Sequence, residues 1–195
     1  MKRGFDLFFS FVGIVFFLPL FLLVSIIIKS SSKGPIFYTQ TRVGRHNQDF
    51  RIFKFRTMYL NADQMGLLTI GDKDSRITGV GYFLRKYKID ELPQIFNVFL
   101  GEMSFVGPRP EVRKYVALYS TRHKKVLTVR PGITDLASIE YRNESALLDK
   151  QEDSNQFYID VIMPHKLEIN LSYIENRNIF KDIYIIFTTL KAIIK

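Results

Sequence analysis

Leu7-Phe8-Phe9-Ser10-Phe11-Val12-Gly13-Ile14-Val15-Phe16-Phe17-Leu18-Pro19-Leu20-Phe21-Leu22-Leu23-Val24-Ser25-Ile26-Ile27-Ile28 is a run of 22 residues without a charge. As a straight helix it would be roughly 33 Å long at about 1.5 Å per residue, enough to cross a hydrocarbon core of about 30 Å. It is too long for a cleavable signal, and no small-x-small site precedes the basic segment 29–45. Lys2 and Arg3 stand before the run, and Lys29, Lys33, Arg42 and Arg45 after it. Basic residues favour the cytoplasmic side, so both ends ask for the same side. Pro19 removes a helix hydrogen bond near the middle. A re-entrant helix satisfies both facts, with Ser25 as a source of relief for freed backbone groups. An ordinary spanning helix with a tolerated proline satisfies the second. Both readings stand on these residues alone.

The chain of 195 residues fits one domain plus a membrane element. It has no Cys, so it has no disulfide framework and no thiolate nucleophile or ligand. A net charge of +9 with 18 Phe suits anionic lipid, polyphosphate or nucleic acid. The uncharged run puts a membrane role ahead of nucleic-acid binding.

Residues 36–43 and 50–58 are rich in β-branched and aromatic types and flank the polar turn Gly44-Arg45-His46-Asn47. That pattern predicts a β-hairpin with Lys54 and Arg56 on one face, solvated or headgroup-facing in the simplest case. Residues 60–76 read as a polar loop able to cover a site. A helix is expected over 80–88, then another with Asp90 as N-cap, Pro93 in its first turn and Gly101 at its end. Leu92, Ile95, Phe96 and Phe99 carry its buried face. Residues 111–124 and 155–176 read as helical, the latter interrupted at Pro164. Residues 179–194 predict an amphipathic helix suited to a membrane interface, with Phe180 and Phe187 inserted.

Chemistry concentrates in Arg85-Lys86-Tyr87-Lys88-Ile89-Asp90-Glu91-Leu92-Pro93-Gln94. Two acids stand where a helix begins, a place that favours anions such as phosphate. An acid there suits phosphoryl transfer through a metal or an aspartyl phosphate; a plain helix cap is the simpler role. Arg85, Arg109, Arg130 and Arg142 sit at helix ends or in turns stiffened by Pro or Gly, as in Gly107-Pro108-Arg109-Pro110 and Arg130-Pro131-Gly132-Ile133-Thr134. Rigid guanidinium groups suit phosphate recognition. No phosphate-cradling glycine loop, zinc spacing or serine elbow is present. A carboxylate, arginines and a hard cation such as Mg²⁺ remain.

These motifs resemble the bacterial sugar transferases, the small monotopic phosphoglycosyl transferases. The likeness runs over nearly the whole chain. It covers Lys2-Arg3-Gly4-Phe5-Asp6, Gly34-Pro35-Ile36-Phe37, Phe53-Lys54-Phe55-Arg56-Thr57-Met58, Asp90-Glu91-Leu92-Pro93-Gln94, Met103-Ser104-Phe105-Val106-Gly107-Pro108-Arg109-Pro110 and Arg130-Pro131-Gly132-Ile133-Thr134.

The resemblance implies transfer of a sugar 1-phosphate from a UDP-sugar to a polyprenyl phosphate, with UMP released and glycoconjugate assembly begun. It implies Asp90 as nucleophile, Glu91 as its Mg²⁺-associated partner, and Arg85, Arg109, Arg130 and Arg142 on substrate phosphate. Asp160, Lys54 and Arg56 are additional candidates. The implied fold is α+β and mostly helical: a re-entrant membrane helix over 1–30, then a cytoplasmic catalytic domain over 31–195 with a β-hairpin and interfacial helices. The implied place is the cytoplasmic face of the bacterial inner membrane, inserted in one leaflet. A homodimer and downstream glycosyltransferases are candidate partners; nucleic acid is not.

Two departures stand out. The family's Ser-Pro helix break is Leu18-Pro19 here. The stretch after Ile133 reads Asp135-Leu136-Ala137-Ser138-Ile139-Glu140-Tyr141-Arg142, unlike the usual pattern, which bears on nucleotide and sugar contacts. The larger relatives carry further membrane helices and another domain ahead of this module, at whose start this chain begins. A non-catalytic membrane scaffold, using the hairpin and its basic face, is the competing function.

Overall fold

The computed structural model of the chain describes residues 2–62, 66, 68 and 74–194. It is α+β and mostly helical. The uncharged run lies within one helix, α1 (Lys2–Ser31), continuous through Pro19. Ser25 Oγ donates to Phe21 O at 2.6 Å, within the turn after the proline, so it does not serve the carbonyl that Pro19 leaves free.

One side of α1 rests on the rest of the protein along its length. Arg3 donates to Val98 O (2.6 Å) and Phe99 O (2.9 Å), and Ser104 Oγ donates to Asp6 Oδ1 (3.1 Å). Gly13 lets the helix approach Ile95 closely, since a Cβ there would lie 2.4 Å from Ile95 Cδ1. Phe21, Val24 and Ile28 pack with Phe55, Leu84 and Ile95. The other side, including Phe8, Phe16, Leu22 and Ile26, is exposed.

The predicted hairpin forms from β1 (Phe37–Val43) and β2 (Asp49–Phe55), antiparallel from Phe37↔Phe55 to Val43↔Asp49. His46 and Asn47 adopt positive φ in its turn. Loop residues 60–62, 66, 68 and 74–76 are described; the rest of the expected covering loop lies outside the described residues. Thr78 caps α2 (Gly79–Lys86), its side chain accepting from Gly81 N, and α2 stops two residues earlier than expected. Lys88 turns the chain with φ 55° into a 3₁₀ turn, Ile89–Glu91. Then α3 (Gln94–Leu100) runs to Gly101, whose φ of 92° ends it.

Short strands β3 (Ser104–Val106) and β4 (Gly132–Thr134) pair in parallel. Between them, only α4 (Arg113–Val116) realises the expected 111–124 helix. A separate 3₁₀ segment, His123–Thr128, follows, and Ser120 Oγ accepts from His123 N just ahead of it. After β4 come α5 (Leu136–Glu140), α6 (Glu144–Asp149) and α7 (Ser154–Phe157). A π turn at Tyr158–Ile162 leads into α8 (Met163–Glu175). The irregularity falls just before Pro164, which has no N–H to give the preceding turn. A core of Tyr115, Val116, Tyr119, Leu148, Tyr158, Ile162, Leu167 and Leu171 lies beneath α8.

The last helix, α9 (Ile179–Ile194), is where the sequence puts it. It buries Asp182 and Ile185 and exposes Phe180, Tyr184 and Phe187. Asp182 receives Lys2 Nζ and the Tyr173 hydroxyl, which ties the two ends of the chain together.

Candidate active site

Asp90 and Glu91 lie in the 3₁₀ turn ahead of α3, and both are buried. The expected N-cap role of Asp90 is not realised. Its Oδ1 has no hydrogen-bond partner, and the backbone is already helical at Asp90. The expected apolar face of α3 also needs correction. Phe99 is 38% exposed, whereas Gln94, Asn97 and Val98 are buried beside Ile95. Asn97 is the reason: its Oδ1 accepts from Phe53 N (3.0 Å) and its Nδ2 donates to Arg51 O (2.7 Å). Hydrogen bonding to the β2 backbone turns this polar side chain inward. It also fixes β2 against α3, next to the dyad.

That docking carries Lys54 to Glu91, with Nζ 2.9 Å from Oε1. Lys54 is therefore paired with an acid, not solvated as the simplest reading expected. The stiff turn after β3 brings Arg109 to the same carboxylate. Its Nη1 donates to Oε2 at 3.2 Å and its Nη2 to Oε1, a bidentate pair. Glu91 thus holds two cations.

The electrostatics divide the dyad. Burial, and then the charge of Glu91, push the Asp90 carboxyl up to about 6 against the pull of Lys54, Lys88 and Arg85. Burial also works to raise Glu91, but Arg109 and Lys54 outweigh it and hold that carboxyl well below its usual range. Burial lowers Lys54, opposed by Glu91. The charge of Glu91 raises Arg109. Lys54, Lys88, Arg85 and Arg109 face two acids, a surplus of positive charge suited to a diphosphate.

The other expected residues scatter. Arg85, in the last turn of α2, is within electrostatic reach of Asp90 and Asp74. Arg130 points elsewhere: its Nε donates to Gly101 O (2.7 Å), beyond the far end of α3, with Arg3 and Arg45 as charged neighbours. Arg56 binds the carbonyls of Ser32 (2.9 Å) and Lys33, closing the end of α1, so it too is buried rather than solvated. Arg142 is exposed in the turn between α5 and α6. Asp160 is exposed in the π turn and accepts from Gln156 Nε2 at 2.8 Å.

Some site groups went unassigned at the level of sequence. Lys88 acts on both acids through its charge. Asp135, the cap of α5, is fully buried, accepts from Ser138 N at 2.6 Å and lies near Arg109 and Lys166. Its Asp-x-x-Ser spacing was the available signal, that of a helix cap.

Among the described residues no group of three or more His, Asp or Glu side chains is arranged around a metal. The residues present fit Mg²⁺ in a narrower way. Glu91 Oε1 accepts from both Lys54 and Arg109, but Oε2 has one partner and keeps acceptor capacity, and Asp90 has an unpartnered oxygen. Mg²⁺ commonly takes one or two carboxylates and completes its shell with substrate phosphate and water.

The profile of a family described as bacterial sugar transferase matches residues 1–195. The UDP-N-acetylgalactosamine-undecaprenyl-phosphate N-acetylgalactosaminephosphotransferase of Aeromonas hydrophila is 39% identical over the whole of this chain and 44% of its own length. The exopolysaccharide production protein ExoY of Rhizobium meliloti (strain 1021) is 35% identical over 98% of this chain and 84% of its own. The UDP-glucose:undecaprenyl-phosphate glucose-1-phosphate transferase of Escherichia coli (strain K12) is 33% identical over 97% of this chain and 39% of its own. The chain therefore spans less than half the length of the Aeromonas and Escherichia relatives and most of ExoY.

Proposed function

The chain belongs to the bacterial sugar transferase family, and from that premise we propose that it moves a sugar 1-phosphate from a UDP-sugar to a polyprenyl phosphate, releasing UMP. The observation that carries this reading is the dyad. One carboxylate, Asp90, is buried with an oxygen free, while its neighbour is pinned by Arg109 and Lys54.

In the first half-reaction an Asp90 oxygen attacks the β-phosphorus of the donor. The bond from that phosphorus to the bridging oxygen breaks, and UMP leaves with the electron pair. In the second, a phosphate oxygen of the polyprenyl acceptor attacks the same phosphorus and frees Asp90. Burial strips water from the nucleophile. Glu91, kept ionised by its two cations, holds Lys54 and Arg109 where charge develops, and Arg85 and Lys88 add to that field. Mg²⁺, held by Glu91 and the donor's diphosphate, would supply further charge neutralisation. Arg130 and Arg142 are proposed as outer contacts to the nucleotide, the sugar or the lipid headgroup, away from the dyad.

The acceptor's phosphate lies at headgroup level. Insertion of α1 into one leaflet from the cytoplasmic face of the membrane suits it. Support comes from the two ends of α1: Lys2 and Arg3 at one, Phe21 to Ile28 at the other, all against the same body of protein. A helix crossing the bilayer upright would leave that body at one end. The exposed aromatic residues of α9 are proposed to lie at the interface. Tags at both termini should be reached from the cytoplasmic side; a terminus reached only from outside contradicts one-leaflet insertion.

The test is UMP release from a panel of UDP-sugars, with and without polyprenyl phosphate. One donor should support turnover that requires the acceptor and stops in excess EDTA. No release with any donor would leave a membrane scaffold as the better account.

A further inference from the structure

Among the described residues, the fully buried side-chain atoms without a hydrogen-bond partner are Arg56 Nε, Asp90 Oδ1, Gln94 Nε2 and Asn170 Oδ1. Two of them stand four residues apart at the dyad. Gln94 is 1% exposed, so no solvent meets its amide. The backbone is helical from the 3₁₀ turn through Leu92 (φ −55°, ψ −35°) and Pro93 (φ −61°, ψ −15°) into α3. The hydrogen bonds of this stretch run three residues back, Leu92 N to Ile89 O (3.2 Å) and Ile95 N to Leu92 O (3.0 Å), and a helical side chain leans back over the turn before it. Gln94 therefore leans over the turn that carries Asp90 and Glu91. A buried donor without a partner destabilises a fold, and one at a reactive carboxylate calls for a ligand. Lys54 and Arg109 are engaged by Glu91, whereas the side-chain N–H of Gln94 has no partner.

We infer that Gln94 is a further catalytic residue: its side-chain N–H binds a non-bridging oxygen of the phosphoryl group while that group is transferred to and from Asp90. The inference rests on the proposed role of Asp90 as nucleophile. In the step itself the Asp90 oxygen–phosphorus bond forms, the phosphorus–bridging oxygen bond breaks, and UMP takes the electron pair. Gln94 neither gains nor loses a proton. It contributes one neutral donor, fixed in advance where the oxygens of the transition state gather charge.

The test uses the full chain in lipid nanodiscs. Gln94→Met keeps the length of the side chain and removes the donor. UMP release from the donor that the wild type uses should show kcat lowered about a hundredfold, the scale of one lost preorganised donor. KM for the UDP-sugar should stay within about threefold, since the contact is made mainly in the transition state. The pH midpoint should not move and the melting temperature should not fall. An unchanged kcat overturns the inference. So does a shifted pH midpoint with the plateau rate retained, because Gln94 would then be tuning Asp90 instead. If Gln94→Met does not fold, Gln94→Glu replaces the donor with an acid at equal size, and wild-type kcat in that variant overturns the claim equally. A wild type that releases no UMP, or a fully active Asp90→Asn, defeats the reading of Asp90 itself; with wild-type release intact and Asp90→Asn inactive, an unchanged kcat in Gln94→Met overturns the role of Gln94 alone.

Discussion

Gly107-Pro108-Arg109-Pro110 and Arg130-Pro131-Gly132-Ile133-Thr134 look alike as sequences, since each sets an arginine in a turn stiffened by proline. In the fold they lie back to back. Gly107 N donates to Thr134 O (3.1 Å), and Gly132 N donates to Pro108 O (3.0 Å). Their arginines nevertheless part company. Arg109 grips Glu91 with both arms, while Arg130 bonds the carbonyl of Gly101 beside Arg3. Proline predicts that a guanidinium is held still; it says nothing about where the group points. Direction comes from what the neighbouring chain offers, a carboxylate in one case and a helix-end carbonyl in the other.

The difference can be broken from either side. Arg109→Ala should have the largest effect. It leaves Glu91 with Lys54 alone, and kcat for UMP release should fall about 10²- to 10³-fold. Next is the contact that holds the turns together. A Cβ on Gly132 would sit 2.1 Å from Gly107 N, so Gly132→Ala should cost about 1–3 kcal/mol of stability, read as a lower melting temperature with both arginines still present. The pH response sharpens the comparison further. Asp90 attacks only when ionised and its carboxyl is pushed up to about 6, so kcat/KM should rise about tenfold per pH unit below that value and level off above it. The profile belongs to the coupled pair, and Arg109→Ala should move it whereas Arg130→Ala should not. Smallest of all, Arg130→Ala should change kcat less than about fivefold. A loss matching that of Arg109→Ala would mean that the two turns serve one site.

The hairpin, the terminal amphipathic helix and the glycine stop of α3 were legible because each depends on local period and turn chemistry. So was the pairing of long apolar α1 with basic flanks. The inward face of α3 was not legible from its apolar spacing. Asn97 turns inward to bind the β2 backbone, and hydrogen bonding outranks the position of Phe99. The 111–124 helix ends at Val116, where Leu118 N and Tyr119 N bond carbonyls three residues back and the turn tightens. At the site, the acids and the need for cations could be read, but the choice among cations could not. Lys54 and Arg109 lie 37 and 18 residues from Glu91, so only the packed fold selects them over Arg56 and Arg130.

The covalent intermediate is the direct test of the central claim. The full chain, incubated with a radiolabelled UDP-sugar and no lipid acceptor, should release UMP in an amount that matches label retained on the protein. Peptide mass mapping should place a sugar phosphate on Asp90, addition of polyprenyl phosphate should discharge it, and Asp90→Asn should carry none. UMP released only when the acceptor is present, with no label on the wild-type protein, would mean direct displacement and would contradict Asp90 as the nucleophile.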